Sequence, residues 1–272
     1  MAYICLMKVT IVGCGNMGLV YARSFLKYNI VRQEELMLVE KNEARKNELL
    51  KMNIGEVVLA DDPKISESEL IILAVKPQDF SELAQQLKKV LKPEIIVLSI
   101  MAGIKITQIE NLLAHKTIIR AMPNAPVELG MGMTGFSANE SVTMAQVRKV
   151  ENVLNTTGRT AFFENEDLLN AVTALSGSGP AYFYYILRAM IDAGKGMGMD
   201  EPTATTLVKQ TMLGSFHLVN NATKSFDELI KTVASKGGTT EAALKVFEER
   251  ELHKTIVKGI LRAEQRGKEL AN

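Results

Sequence analysis

What this chain has little of narrows its chemistry first. It carries two cysteines, Cys5 and Cys14, both in or beside one apolar stretch near the N-terminus. Two thiols so placed offer no disulfide framework and suit a reducing compartment, in which free cysteine acts as a small hydrophobe. The three histidines, His115, His217 and His253, are scattered without metal-ligand spacing, so no metal is expected. An excess of one charge is also missing. With 32 Lys and Arg against 31 Asp and Glu, the formal net charge is +1, which leaves no electrostatic footprint for nucleic acid or an anionic membrane. No uninterrupted apolar run approaches membrane-spanning length, and the N-terminus has no basic segment followed by a small-residue cleavage site, so cytoplasmic residence is expected. Small molecules and further copies of the chain remain as partners.

What is present is a chain of 272 residues, 47% of them apolar, long enough for one large or two ordinary domains. Its organising stretch is Lys8-Val9-Thr10-Ile11-Val12 followed by Gly13-Cys14-Gly15-Asn16-Met17-Gly18. This reads as a buried strand, opened by Met7, that empties into a complete G-x-G-x-x-G and then an amphipathic helix from Leu19 to Tyr28. Gly13 turns tightly, Gly15 lets a pyrophosphate approach the backbone, and Gly18 lets the helix pack on the sheet. The helix N-terminus then presents free N–H groups to the phosphates. Met1 to Leu6 reads as a loose extension with no assigned function.

The pattern then alternates. Strands are expected over 35–39, 57–60, 70–75, 95–100 and 117–121, with helices over 44–51, 80–91 and 106–113 between them. Continuous apolar runs such as Leu70 to Val75 suit parallel strands buried on both faces. The fold class is therefore α/β, with an N-terminal doubly wound, Rossmann-type sheet whose ligand lies outside the carboxyl ends of the strands. The stops at 13–18, 40–41, 61, 74–77, 99–103 and 122–124 are expected along one crevice. Segments 132–136 and 160–163 read as two edge strands around a helix over 143–156.

Near Asn165 the architecture changes. Helices are expected over 166–175, 181–195, 202–220, 225–233, 239–250 and 253–269, with Pro180 and Pro202 at helix starts. This divides the chain into a dinucleotide-binding domain, 1–165, and a helical domain, 166–272. The helix from Ala181 is apolar nearly all round, through Tyr182, Phe183, Tyr184, Tyr185, Ile186, Leu187 and Met190. It is either an ordinary core helix or one covered by a partner subunit.

A second glycine-rich stretch, Ser235-Lys236-Gly237-Gly238-Thr239-Thr240-Glu241, opens a helix. It reads either as a plain Gly-Gly turn with Thr239 as N-cap, or as a carboxylate socket made by free N–H groups at Gly238, Thr239 and Thr240 and by two hydroxyls.

Several blocks together resemble one family. Val12 to Met17, Ala74-Val75-Lys76-Pro77, Ile119-Arg120-Ala121-Met122-Pro123-Asn124, Leu175-Ser176-Gly177-Ser178-Gly179-Pro180-Ala181-Tyr182 and Ser235 to Thr240 are similar to the motifs of the pyrroline-5-carboxylate reductases. The resemblance implies NAD(P)H-dependent reduction of L-1-pyrroline-5-carboxylate to L-proline, and a helical domain that interleaves with its partner in a dimer, often within a ring of dimers. It implies that Ser235, Gly237, Gly238, Thr239 and Thr240 bind the substrate, with Thr240 at the ring nitrogen in the catalytic role, and that Glu166 lies at the substrate pocket. It also implies that the cofactor, NADPH or NADH, is held by Val12, Gly13, Cys14, Gly15, Asn16 and Met17, by Glu40 and Lys41, by Asp61, by Ala74, Val75, Lys76 and Pro77, and by Met101 and Ala102. Two positions depart from the family pattern: Lys236 stands where many members have Pro, and Asp61 where Asn is frequent.

Glu40, about 25 residues after Gly15, is an acid placed to read the ribose 2′-hydroxyl of NAD, while Lys41 beside it pulls toward a 2′-phosphate. A competing enzyme class, the β-hydroxyacid dehydrogenases, needs a lysine for proton transfer, with Lys195 and Lys209 as candidates. A non-catalytic redox sensor would need a docking surface, of which the neutral charge balance gives no sign.

Overall fold

The computed structural model describes residues 7 to 270, and Cys5 and the 1–6 extension lie outside them. The first part runs β1 (Val9–Val12), α1 (Asn16–Lys27), β2 (Leu36–Val39), α2 (Glu43–Met52), β3 (Glu56–Val58), β4 (Leu70–Leu73), α3 (Phe80–Leu87), β5 (Ile96–Ser99), α4 (Ile106–Leu113), β6 (Ile118–Met122), β7 (Gly132–Ala138), α5 (Met144–Leu154) and β8 (Gly158–Phe162). The strands form one sheet of order β3-β2-β1-β4-β5-β6-β7-β8. Neighbours from β3 to β6 run parallel, β7 runs antiparallel to β6, and β8 pairs parallel with β7. Only β8 of the last two is an edge strand; β7, expected at an edge, lies inside the sheet.

Both faces of the sheet are covered, which explains why β1, β2, β4 and β5 are buried at every residue. One face packs Val9, Ile11, Leu38, Ile72 and Leu98 against Tyr21 and Phe25 of α1 and Val147 and Val150 of α5. The other packs Val12, Leu73, Val97 and Ile118 against Phe80 and Ala84 of α3 and Ile109 of α4. The chain winds outward from β1 to β3 and then crosses to β4 on the other side of β1. That reversal opens a crevice at the carboxyl ends of β1 and β4.

The expected helix over 166–175 is shorter and changes character. After α6 (Leu168–Val172), residues Thr173–Gly177 form a turn of π-helix. It closes with the Ser178 N–H donating to the Thr173 carbonyl at 2.8 Å.

The remaining helices are α7 (Gly179–Gly196), α8 (Glu201–Asn221), α9 (Phe226–Val233), α10 (Thr239–Glu249) and α11 (Leu252–Leu270). The described residues separate into two compact units, one of residues 7–178 with 264–270, the other of residues 179–263. In the second, Pro180 and Pro202 each take the second position of a helix, and Asp200 caps α8 by accepting the Thr203 N–H at 2.7 Å. Ser225 and Glu228 cap α9 reciprocally.

Helices α9, α10 and α11 have no buried residue, and Tyr184 and Tyr185 of α7 are 62% and 66% exposed. One copy of this unit does not cover its own apolar side chains. Among the described residues no helix is long and apolar enough to cross a membrane.

Candidate active site

The turn after β1 has the geometry its glycines suggest. Gly13 sits at φ +93, and a Cβ there would meet the Val75 side chain at 2.7 Å and the Ala74 carbonyl carbon at 2.8 Å. At Gly18 a Cβ would stand 2.1 Å from the Gly13 carbonyl oxygen, so α1 rests directly on the turn. Gly15 differs: nothing lies within 4 Å of where its Cβ would be. It is the N-cap of α1 and has no side chain to cap with, so the open space beside Gly15 adjoins helix N–H groups that no N-cap side chain takes. That space suits a pyrophosphate.

A cavity of about 500 Å³ extends from this turn along the ends of β1, β2, β3 and β4. Of the residues expected to hold a cofactor, Val12, Gly13, Gly15, Glu40, Lys41, Ala74, Val75 and Lys76 line it. The others stand elsewhere. Cys14 is buried beneath the turn, and burial, with the Glu40 charge adding, pushes its thiol up to about 12, so it stays a neutral hydrophobe. Asn16 and Met17 border a second cavity, beside α1 and the 125–130 segment. Asp61 and Pro77 are exposed, Met101 is buried and Ala102 is exposed. The single crevice expected along six strand ends therefore does not appear as one cavity. With strands about 4.8 Å apart, the stops after β5 and β6 lie beyond the β1 to β4 opening.

Glu40 closes the rim of the cavity. One carboxylate oxygen accepts the Cys14 N–H at 3.1 Å and the other the Asn42 N–H at 3.0 Å. Arg45, which the sequence reading did not single out, donates from Nε to the Cys14 carbonyl at 2.9 Å. The central residue of the G-x-G turn is thus held from both sides by the segment that follows β2. Lys41 donates to Asp79 at 2.6 Å, and that carboxylate holds its ammonium above the ordinary lysine range.

Further along the sheet, Arg120 of β6 is fully buried and pairs with Glu166 at 2.8 Å. Register sets Arg120 between Ser99 of β5 and Ser137 of β7. The same Glu166 oxygen accepts the Ile106 N–H at the start of α4 at 2.9 Å. Glu166 therefore ties the first helix after the sheet to a strand and a helix end. Asn124, just past β6, accepts the Met133 N–H at 2.9 Å and donates to the Ser176 hydroxyl on the π turn at 3.2 Å. A charge in the apolar run Ile118-Ile119-Arg120-Ala121 was the available signal for the buried pair, since a strand covered on both faces gives arginine no route to water.

In the helical unit, Gly238 is the N-cap of α10 and Gly237 sits at φ +73. Of the three N–H groups expected to be free, that of Gly238 is not: it donates to the Ser235 carbonyl at 3.0 Å. The Gly237 N–H donates to the Glu241 carboxylate at 2.7 Å. Thr239 and Thr240 begin the helix, with no side-chain cap before them. Thr239, Ser235 and Lys236 are exposed and Thr240 is half-buried. The dehydrogenase lysines offer little: Lys195 pairs with Glu201 at 2.6 Å, and Lys209 is an exposed helix residue.

A doubly wound sheet, a glycine turn with an open second glycine, and an acid at the end of β2 define a dinucleotide-binding α/β protein. Comparison with known proteins narrows this. Residues 8–103 match the family described as NADP oxidoreductase, coenzyme F420-dependent, and residues 166–270 match the one described as pyrroline-5-carboxylate reductase dimerisation. The pyrroline-5-carboxylate reductase of Aquifex aeolicus is 35% identical over 272 residues, 99% of each chain. Among solved structures, a pyrroline-5-carboxylate reductase from Coxiella burnetii is 30% identical with a TM-score of 0.88, covering 98% of this chain and 99% of its own. The Plasmodium falciparum pyrroline carboxylate reductase with NADP bound is 25% identical with a TM-score of 0.85, covering 98% of each chain. The chain belongs to the pyrroline-5-carboxylate reductase family.

Proposed function

We infer that the residues of this chain divide the work of an NAD(P)H-dependent reductase of L-1-pyrroline-5-carboxylate, which forms L-proline, between two domains whose functional boundary lies at 165/166. The observation that carries the assignment is sequence identity of 35% to the Aquifex aeolicus relative, which runs through both domains. When bound, the reduced nicotinamide supplies the hydride that the C=N bond accepts.

The chain's own residues position and solvate. The open side of Gly15 and the uncapped start of α1 receive the pyrophosphate, and Glu40 accepts from a ribose hydroxyl. Ala74, Val75 and Lys76 line the cleft beside the turn and hold the cofactor there. The loop Ser235 to Thr240 takes the substrate carboxylate through the Thr239 and Thr240 N–H groups and the positive end of the α10 dipole. The Thr240 hydroxyl hydrogen-bonds the ring nitrogen. Glu166 acts on the substrate side by fixing the segment that leads into the π turn. A protonated cyclic imine is already a good hydride acceptor, so orientation supplies most of the rate and no histidine or lysine acid is required. Self-association runs through the helical domain; the larger assembly is a ring of dimers, and the enzyme works in the cytoplasm.

Replacement of Thr240 tests this division. Thr240→Ala is expected to lower kcat/KM by roughly 1.5 to 3 kcal/mol, the range for a hydrogen bond to a charged group, with cofactor binding by fluorescence unchanged and Thr240→Ser recovering most of the loss. Near-normal turnover in Thr240→Ala removes this residue from the mechanism. Gly238→Val is a poorer probe of the carboxylate socket, because a Cβ at Gly238 would stand 2.6 Å from the Ser235 hydroxyl and displace the loop itself.

A further inference from the structure

Of the cations that line the cleft, Arg45, Lys46 and Lys41 are engaged, while Lys76 pairs with no carboxylate among the described residues. Where β2 ends, Arg45 donates to the Cys14 carbonyl and pairs with Glu48, and Lys46 pairs with Glu43 at 2.6 Å. Lys41, next to the acid that faces the ribose, is 70% exposed along its side chain and would be free to swing if nothing held it. It is held by Asp79, whose carboxylate lies 2.6 Å away and is itself only 31% exposed. Asp79 comes from the far side of the opening. It ends the short turn Pro77–Asp79 that follows β4, and its own N–H donates to the Lys76 carbonyl at 2.9 Å, which holds the backbone that carries the carboxylate. Glu40 meanwhile accepts two backbone N–H groups, and among the described residues no cation pairs with it.

A ribose 2′-hydroxyl can donate to Glu40, whereas a 2′-phosphate brings up to two negative charges to the same place and needs a nearby cation. Lys41 is the adjacent candidate in sequence, and it is committed across the opening. We propose that Asp79 is a positioning residue for cofactor choice: by holding Lys41 it withholds the ammonium from a 2′-phosphate and favours NADH over NADPH. This rests on the reading of the cleft as the dinucleotide site. The pair is exposed, so its effect is graded and is screened by salt.

Steady-state kinetics of the full-length enzyme, with pyrroline-5-carboxylate saturating and each reduced cofactor varied, test the proposal. Asp79→Asn is expected to lower the KM for NADPH relative to that for NADH by roughly two- to fivefold, the span that an exposed ion pair of this kind supports. The change sits in KM, not kcat, and shrinks as salt is added. In a Lys41→Met background the same substitution is expected to have no effect on the ratio. An unchanged ratio in Asp79→Asn overturns the proposal. So does a gain for NADPH that persists without Lys41, since Asp79 would then act by its own charge. Glu40→Ser separates the levels: if it moves the ratio while Asp79→Asn does not, the cleft binds the ribose and only the role of Asp79 is wrong. If neither moves it, the dinucleotide reading of the cleft falls as well.

Discussion

Breaking the Arg120–Glu166 pair from its two ends should give very unequal losses, because the two partners differ in their access to water. The Arg120 side chain is 2% exposed and that of Glu166 21%. Glu166→Ala leaves a guanidinium buried with no counter-charge and also orphans the Ile106 N–H at the start of α4. Removing one partner of a buried pair costs about 3 to 5 kcal/mol; the partial exposure of Glu166 admits water and brings the expectation to about 2 to 4. Glu166→Gln keeps an oxygen for the Ile106 N–H and a hydrogen bond to Arg120 but loses the charge, so about 1 to 2 kcal/mol is expected, the difference between charged and neutral hydrogen bonds. Arg120→Met removes the buried charge and leaves a carboxylate that can still reach solvent and the α4 start. Replacing such a charge by an apolar side chain of similar length is often close to neutral. Its Nη2, which has no hydrogen-bond partner among the described residues, is lost without penalty. The expected order of loss is therefore Glu166→Ala, then Glu166→Gln, then Arg120→Met. Urea unfolding at one fixed protein concentration reads it, since self-association makes the midpoint depend on concentration. If Arg120→Met were the most damaging of the three, or Glu166→Ala fell within about 0.5 kcal/mol of the parent, a change typical of a plain surface site, the buried-charge argument would be refuted.

Three further outcomes are expected. Both cofactors should serve, with NADH used relatively well, and Glu40→Ser should shift preference toward NADPH; a strong NADPH preference untouched by that change contradicts the role of Glu40. Tyr184→Glu puts charge on the 62% exposed ring of α7 and should split or unfold the assembly, so a stable, active monomer by light scattering would remove α7 from the interface. Burial lowers the basicity of His115, whose Nε2–H donates to the Ile95 carbonyl at 2.7 Å. The unfolded ring takes up a proton that the folded one refuses, so stability should be full above the ordinary value of 6.5 and decline as pH falls through and below it. A His115→Gln variant should lose that part of the slope, and an unchanged slope in the variant would show that His115 is not its source.

How much of this was legible in the sequence depends on range. The glycine turn, the alternation of β1 to β6 and the helical second half are written in neighbouring residues: apolar runs, their glycine and proline stops, and the helix period. The interior place of β7 was not legible, because it follows from a pairing that no local pattern announces. The π turn at Thr173–Gly177 breaks a stretch whose composition is simply helical. Site contacts show the same divide. Gly13, Gly15 and Glu40 stand where their motif puts them, but the Lys41 to Asp79 and Arg120 to Glu166 pairs join residues 38 and 46 positions apart. The Gly238 N–H, expected to be free, is taken by a carbonyl three residues back. That is a local bond, yet it depends on the positive φ of Gly237, and either turn geometry was open to the sequence.

The most direct test of the account follows the absorbance of reduced nicotinamide after addition of L-1-pyrroline-5-carboxylate to the purified chain, with L-proline measured in the same mixture. A parallel run pairs oxidised cofactor with β-hydroxyacids. The account predicts substrate-dependent loss of NADH and of NADPH with matching formation of L-proline, and no reduction of the oxidised cofactor by the hydroxyacids. Cofactor that binds but is not consumed, or turnover with a hydroxyacid in place of the cyclic imine, would contradict it.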